Sequence, residues 1–480
     1  MTVVFPIDMK AFRRNPEPYR EAFRKRFLDE SVVDKALELD REWRKLQRQV
    51  EMLRAEVNTL TRIYAVIKSR EDYEEVITSD RRMSRVWAKY GLAEKVKARG
   101  VDAVRELSNQ INEEIARLEV EVEEKLNKLI RLLYVFPNFL DPSVPIGPDE
   151  SYNKVVKYWG RPRVWRKHLD AFLEENLDIK DYEVIDWEPK HHYDLVKEFD
   201  LVDTDTAAKI AGARFYIEKN ILPLLDFALS MYALHFYVNK GFDNIVVPPY
   251  LMRRSIEEKI TYYESFKESI YHVVEDDLIL ITTSEHPIVA MYMDHTFNEE
   301  DLPLRILAWS PAFRKEAGAH GKDTKGIFRT HQFHKVELHS ITTLDSDMEE
   351  LEYLLKVTEE FIRTLNIPYR VVLLSSGDMD KRAKIQYDIE AWFPGQGRYR
   401  ELFSLATMGD WASRKVMTKV RRKGREEFVA NLYATGVAIQ RTLCAVFENH
   451  YDPEEDVIRI PKPLTKYLEG VGDVIRRKTT

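Results

Sequence analysis

Cysteine is almost missing from this chain: one residue, Cys444, in 480. A single thiol excludes an intramolecular disulfide and any cysteine-rich zinc site. Glycine is sparse, at 17 residues, and neither common glycine-rich phosphate loop occurs. A nucleotide site here must be built from side chains instead of a loop at a helix N-terminus. Long apolar runs are also missing. The most lipid-like stretch, Ile221 to Val238, is broken by Pro223, Asp226, Ser230 and His235. That pattern predicts a buried amphipathic helix and no membrane span. Met1 to Pro16 contains Asp8 and no uninterrupted apolar core, so no secretory leader is expected. These absences predict a soluble, cytoplasmic protein.

What is present is charge and a proper core. Charged residues make up 32% and hydrophobic ones 44%, with a net charge of -7. The length predicts two or three domains. The negative balance argues against indiscriminate coating of nucleic acid and leaves room for a local basic patch.

Ser31 is expected to cap a long helix, with Asp34 in its first turn. Leu39, Trp43, Leu46, Val50, Leu53, Val57, Leu60 and Tyr64 then alternate spacings of four and three, a heptad seam. If helical from Ser31 to Ser69, this element is ~60 Å long. A second seam runs through Leu107, Ile111, Ile115, Leu118, Val122, Leu126, Leu129 and Leu133. Two seams joined by a polar stretch predict an antiparallel helical hairpin. Its tip, within Thr61 to Gly100, holds ten Lys or Arg against six Asp or Glu, a local charge of +4. Such a tip suits a polyanion, and a solvated coiled-coil surface is the competing reading.

Four prolines between Phe136 and Asp149 mark an extended linker. The expected domains are therefore a helical arm (1–135), a proline-rich linker (136–150) and a mixed domain (151–480). In the last, Ile245 to Val247, Leu278 to Thr283, Leu304 to Ser310 and Tyr369 to Leu374 read as strands. Ile221 to Lys240, Met348 to Leu365 and Thr435 to Glu448 read as helices. Without regular βαβ alternation, an α+β fold with an antiparallel sheet flanked by helices is expected.

Phe313 to Glu337 carries the chemistry. It reads as a β-hairpin whose strands each aim an arginine, Arg314 and Arg329, into one space near Phe333. Forked donors and a flat ring suit a nucleoside triphosphate. An exposed hairpin with ordinary ion pairs is the alternative. Arg441, inside an apolar helix, needs an anionic partner if buried. His286, His320, His331 and His334 crowd the same region, but with no cysteine nearby they make a poor metal site.

These segments, with the linker PNFLDPSVPIGPDESYN, resemble seryl-tRNA synthetases of the zinc-free kind, the archaeal versions most. The resemblance covers nearly the whole chain. Three class II signatures occur in order: Lys240-Gly241-Phe242 through Pro248, Phe313 to Glu337, and Gly436 to Arg441. The resemblance implies ATP-dependent activation of serine and transfer to tRNA(Ser), with the basic arm steering the tRNA. It also implies a homodimer through Gly241 to Pro248.

Position by position, it implies that Arg314 grips the α-phosphate and the substrate carboxylate, with Arg329 and Arg441 on the outer phosphates. Phe333 would stack on adenine and Glu316 accept from its amine. Glu401 and Ser404 would hold a magnesium ion, since oxygen ligands suit that metal. Thr283, Glu285 and Glu337 would line the amino-acid pocket, and Thr435 would contact the serine side chain.

Two segments depart from the family. Ser404-Leu405-Ala406-Thr407 replaces the usual Ser-Cys-Ser-Asn, and Ala430-Asn431-Leu432-Tyr433 replaces His-Thr-Leu-Asn. Both changes fall on the amino-acid side. One reading is a divergent lineage that repacked around an unchanged pocket, and another is a paralogue with an altered or lost acyl substrate or acceptor. A non-catalytic RNA-binding protein is a third reading, disfavoured because Arg314, Arg329, Arg441 and Glu401 are all present.

Overall fold

The structure, a computed structural model, describes residues 4–316, 323 and 325–477. The chain divides into two compact units.

The smaller unit comprises Asp29–Tyr134 with Arg13–Pro16. Helix α1 spans Ser31–Ser69. Its start is capped by Asp29, which accepts from the Ser31 amide at 2.9 Å, and not by Ser31 as expected. Three short helices follow, α2 (Tyr73–Ser79), α3 (Arg81–Lys89) and α4 (Leu92–Arg99), before the long α5 (Asp102–Tyr134). Glu42 pairs with Lys125 and Arg54 with Glu119, so α1 and α5 run antiparallel. Val50, Leu60, Leu107, Ile111, Ile115 and Leu118 are buried along the seam.

The tip is not the plain polar stretch the charge count predicted. Ile77, Met83, Val86, Trp87, Leu92 and Val96 bury themselves in the same apolar cluster as the seam. Asp80 caps α3 by accepting from the Arg82 and Met83 amides at 2.8 and 2.9 Å. The short amphipathic turns escaped the periodicity reading because each presents only two or three apolar residues. All ten Lys and Arg side chains of residues 61–100 remain exposed around this small core.

The larger unit contains Val135–Thr480 and also Met1–Phe12 and Glu17–Leu28, which were expected with the arm. Phe12 and Phe23 meet Phe136 edge-on at 5.6 and 5.2 Å. Arg26, 1% exposed, donates to the carbonyls of Asn138, Asp380 and Ala383. Burial lowers its pKa to about 10. Once desolvated, this guanidinium needs those carbonyls, which ties the N-terminal helices to this unit. The proline-rich segment is likewise docked. Asn138 donates to the carbonyls of Arg382 and Met408 at 2.8 and 2.7 Å.

The unit is built on one eight-stranded sheet. Its strands are β1 (Lys154–Trp159), β2 (Asn244–Val246), β3 (Leu304–Phe313), β4 (Gln332–Thr342), β5 (Tyr369–Leu373), β6 (Ile385–Phe393), β7 (Arg398–Thr407) and β8 (Ala430–Ala438). The spatial order is β1-β5-β6-β7-β8-β4-β3-β2, antiparallel except for the edge pair β3/β2. Helices α6 (Leu222–Val238), α7 (Asp347–Thr364) and α8 (Ile439–His450) supply the apolar partner surface; Tyr237 and Phe361 stack at 5.3 Å. The expected helix Thr435–Glu448 is instead the end of β8 followed by α8. A central strand buried on both faces reads as a continuous apolar run, and period alone does not separate it from a helix. No helix among the described residues is long and apolar enough to cross a membrane.

Candidate active site

The middle of the sheet opens into a cavity of 330 Å³. All eleven residues singled out from the sequence line it: Thr283, Glu285, Arg314, Glu316, Arg329, Phe333, Glu337, Glu401, Ser404, Thr435 and Arg441. They arrive from six places. Strand β4 alternates Phe333, Lys335 and Glu337 onto one face, and the register sets Thr435 of β8 beside Glu337. Strand β7 contributes Glu401 and Ser404, opposite Glu390 and Asp388 of β6. Arg441 stands in the first turn of α8.

Arg314 and Arg329 lie just beyond the ends of β3 and β4, not on the strands as expected. The chain there follows a connection, in which Glu316 takes a positive φ of 50°. Arg314 Nε donates to the Thr282 carbonyl at 3.3 Å, and its guanidinium sits 5.3 Å from the Phe333 ring centre. Arg329 pairs with Glu316 at 2.5 Å. Arg441 is 3.4 Å from Glu401 and 5.1 Å from the Phe328 ring centre. Its side chain is 26% exposed and lines the cavity. Burial and the nearby Arg441 make the Arg314 guanidinium easier to deprotonate than usual, an effect Glu316, Glu401 and Glu337 oppose. Three guanidiniums line one cavity, two of them held by Glu316 and Glu401, and forked donors so placed suit a ligand with several negative charges.

Buried carboxylates line another part of the cavity. Glu337, 1% exposed, pairs with Lys335 and accepts from the Thr283 hydroxyl at 3.3 Å. Burial raises its pKa above the ordinary range, Lys335 draws it back and Glu285 adds to the rise. Glu285 is pushed up by burial too, yet the adjacent Arg382 brings it below the ordinary range. Arg382 donates to Glu285 at 2.9 Å and to Asp380 at 2.6 Å.

Sequence reasoning missed Arg382, Asp380 and Lys335. Lys335 could have been found, since it alternates with Phe333 and Glu337. Arg382 and Asp380 sit in a loop between β5 and β6 that carries no local signal.

Of the residues that depart from the family, only Tyr433 reaches the cavity. Leu405, Ala406 and Thr407 are fully buried and absent from its wall, whereas Tyr433 lines it. His286 pairs with Glu257, His334 with Asp226, and His331 with the Tyr271 hydroxyl. His320 lies outside the described residues. Among the described residues no group of three His, Cys, Asp or Glu could hold a metal ion.

Sheet and cavity together define a class II aminoacyl-tRNA synthetase catalytic domain. Residues 268–450 match the tRNA synthetase class II core domain (G, H, P, S and T), and residues 7–95 match the seryl-tRNA synthetase N-terminal domain. The chain is 42% identical over 464 residues to the serine–tRNA ligase of Korarchaeum cryptofilum, covering 96% of this chain and 95% of that one. A crystal structure of seryl-tRNA synthetase from Pyrococcus horikoshii complexed with ATP superposes with a TM-score of 0.84 at 38% identity, covering 98% of this chain and all of that one (100%). A serine–tRNA ligase from Naegleria fowleri in complex with AMP gives 0.76 at 29%, covering 98% and 99%. The chain belongs to the seryl-tRNA synthetase family.

Proposed function

We propose that this protein is a serine–tRNA ligase that activates serine with ATP and transfers the seryl group to tRNA(Ser). The observation that carries the reading is one cavity lined by three arginines and two buried carboxylates. The arginines take the triphosphate. The carboxylates take the ammonium and hydroxyl of serine, with Glu285, Glu337, Thr283 and Thr435 as its contacts.

In the chemical step a serine carboxylate oxygen forms a bond to the α-phosphorus, the bond to the bridging oxygen breaks, and pyrophosphate leaves with its electron pair. Arg314 neutralises charge on the attacking carboxylate and the α-phosphate. Arg329 and Arg441 hold the outer phosphates, stabilising the charge that develops on the leaving group. Phe333 offers its ring to adenine, and Glu316 accepts from the exocyclic amine once Arg329 turns to phosphate.

The donor set fits magnesium. Glu401 is 46% exposed and Ser404 presents a hydroxyl oxygen, and both contribute oxygen ligands only. When bound, the ion shields the phosphate charge.

The exposed basic tip supports tRNA binding. A homodimer is supported by α6, where Leu224, Phe227 and Met231 are 47%, 63% and 42% exposed, and by the free sheet edge with Ile245 53% and Val247 62% exposed. Phe227→Glu should shift sedimentation to the monomer; an unchanged profile rejects that interface.

ATP–pyrophosphate exchange across twenty amino acids tests the activity. Serine-dependent exchange is expected, and its absence overturns the proposal.

A further inference from the structure

Tyr433, on β8, lines the cavity together with Glu285 and Glu337. Its strand register sets it opposite His339 on β4 and Ala406 on β7, two residues before Thr435 and therefore on the same face. It is 7% exposed, yet its hydroxyl has no hydrogen-bond partner among the described residues. A hydroxyl on a cavity-lining residue that makes no hydrogen bond to the protein is available to a ligand group or water. The ring is also held in place. The Arg382 guanidinium lies 5.7 Å from its centre and is itself fixed by Asp380, Glu285 and the Ile260 carbonyl.

We infer that Tyr433 is a specificity-determining residue: its phenol hydroxyl binds the hydroxyl of the amino-acid substrate, with Arg382 as the positioning residue behind the ring. This rests on the serine-activating function proposed above. It follows that Tyr433, where the family usually carries asparagine, supplies a hydroxyl-reading group and is not a relaxation of choice. A site built to pair a substrate hydroxyl rejects the analogue lacking it, because its own polar groups are then stranded. Glycine and alanine are the substrates so rejected.

The test is Tyr433→Phe in the full-length enzyme, with ATP–pyrophosphate exchange measured for serine and for alanine. The substitution removes an atom that has no protein partner, so the melting temperature should stay near that of the parent. The ratio of kcat/KM for serine over alanine should fall about tenfold or more. Binding of seryl- and alanyl-sulfamoyl adenosine, measured by calorimetry, should show the same loss of preference without any turnover. A ratio within about twofold of the parent in both measurements overturns the inference. Failure of the parent enzyme to exchange with serine at all would instead reject the function on which it rests.

Discussion

Arg382 Nη1 stands 2.9 Å from Glu285 Oε1, with both side chains almost completely removed from solvent. Removing one partner strands the other as an unpaired buried charge. Arg382→Ala should therefore destabilise the protein by ~3–5 kcal/mol in chemical denaturation, and raise the serine KM as Glu285 loses its fixed charge. A cost below ~1 kcal/mol would mean that water reaches the pair.

The Arg314 side chain makes one hydrogen bond among the described residues, to the Thr282 carbonyl, and the bonds that join this position to His331 run through its backbone, which a substitution keeps. Arg314→Ala should lower serine-dependent exchange by at least ~10²–10³-fold. Binding of tRNA, measured by filter retention, should stay within about twofold because the polyanion surface is elsewhere. Equal loss of both would reject the division of labour between catalytic domain and arm.

On the arm, Arg81, Arg82 and Arg85 share helix α3 and are all exposed. Replacing the three by serine should weaken tRNA binding and flatten the dependence of log K on log salt by ~2–3 units of slope. Exchange without tRNA should be unaffected. An unchanged salt slope would show that the tip does not meet phosphates.

A buried acidic cluster predicts a pH effect on stability. Glu218 is raised to about 7, first by burial and then by Asp226; Gln440 and His334 oppose the rise. Gln440 donates to both carboxylates, at 3.1 and 2.6 Å, and His334 meets Asp226 at 2.8 Å. With the folded pKa above the unfolded one, the group's contribution is fully present below about pH 4.5 and is lost as pH rises through 7. Glu218→Gln should thus stabilise the protein at pH 8 by ~1–3 kcal/mol, with the gain gone by about pH 4. Equal stability of the two proteins at pH 8 would show that Glu218 is solvated.

The helical arm was legible because its information is local. Leu39 through Tyr64 and Leu107 through Leu133 repeat at heptad spacing, and that period alone dictates two paired helices. The arginine-bearing wall of the cavity was legible for a different reason: Phe313 to Glu337 keeps an ordered string of arginine, glutamate and phenylalanine whose chemistry suits a triphosphate. Where local signal was weak, the expectations slipped. Thr435 was placed on a helix because β8, buried on both faces, has no period-2 pattern to distinguish it. The arm tip looked like loop because Ile77, Met83, Trp87 and Leu92 come from three short helices, none long enough to show a stripe.

By itself, then, the sequence determined the two-part plan, the antiparallel hairpin and the arginine-bearing wall of the site, since each is encoded by residues near one another in the chain. Only the tertiary structure decided the serine-binding part. Tyr433, Glu285 and Arg382 come from separate strands and loops, and nothing in their local sequence says that they meet. Burial then sets their charge: an arginine brought in from a loop nearly a hundred positions from Glu285 keeps that carboxylate ionised in a buried wall. The same packing turns Tyr433 into the cavity and leaves Leu405 to Thr407 behind it.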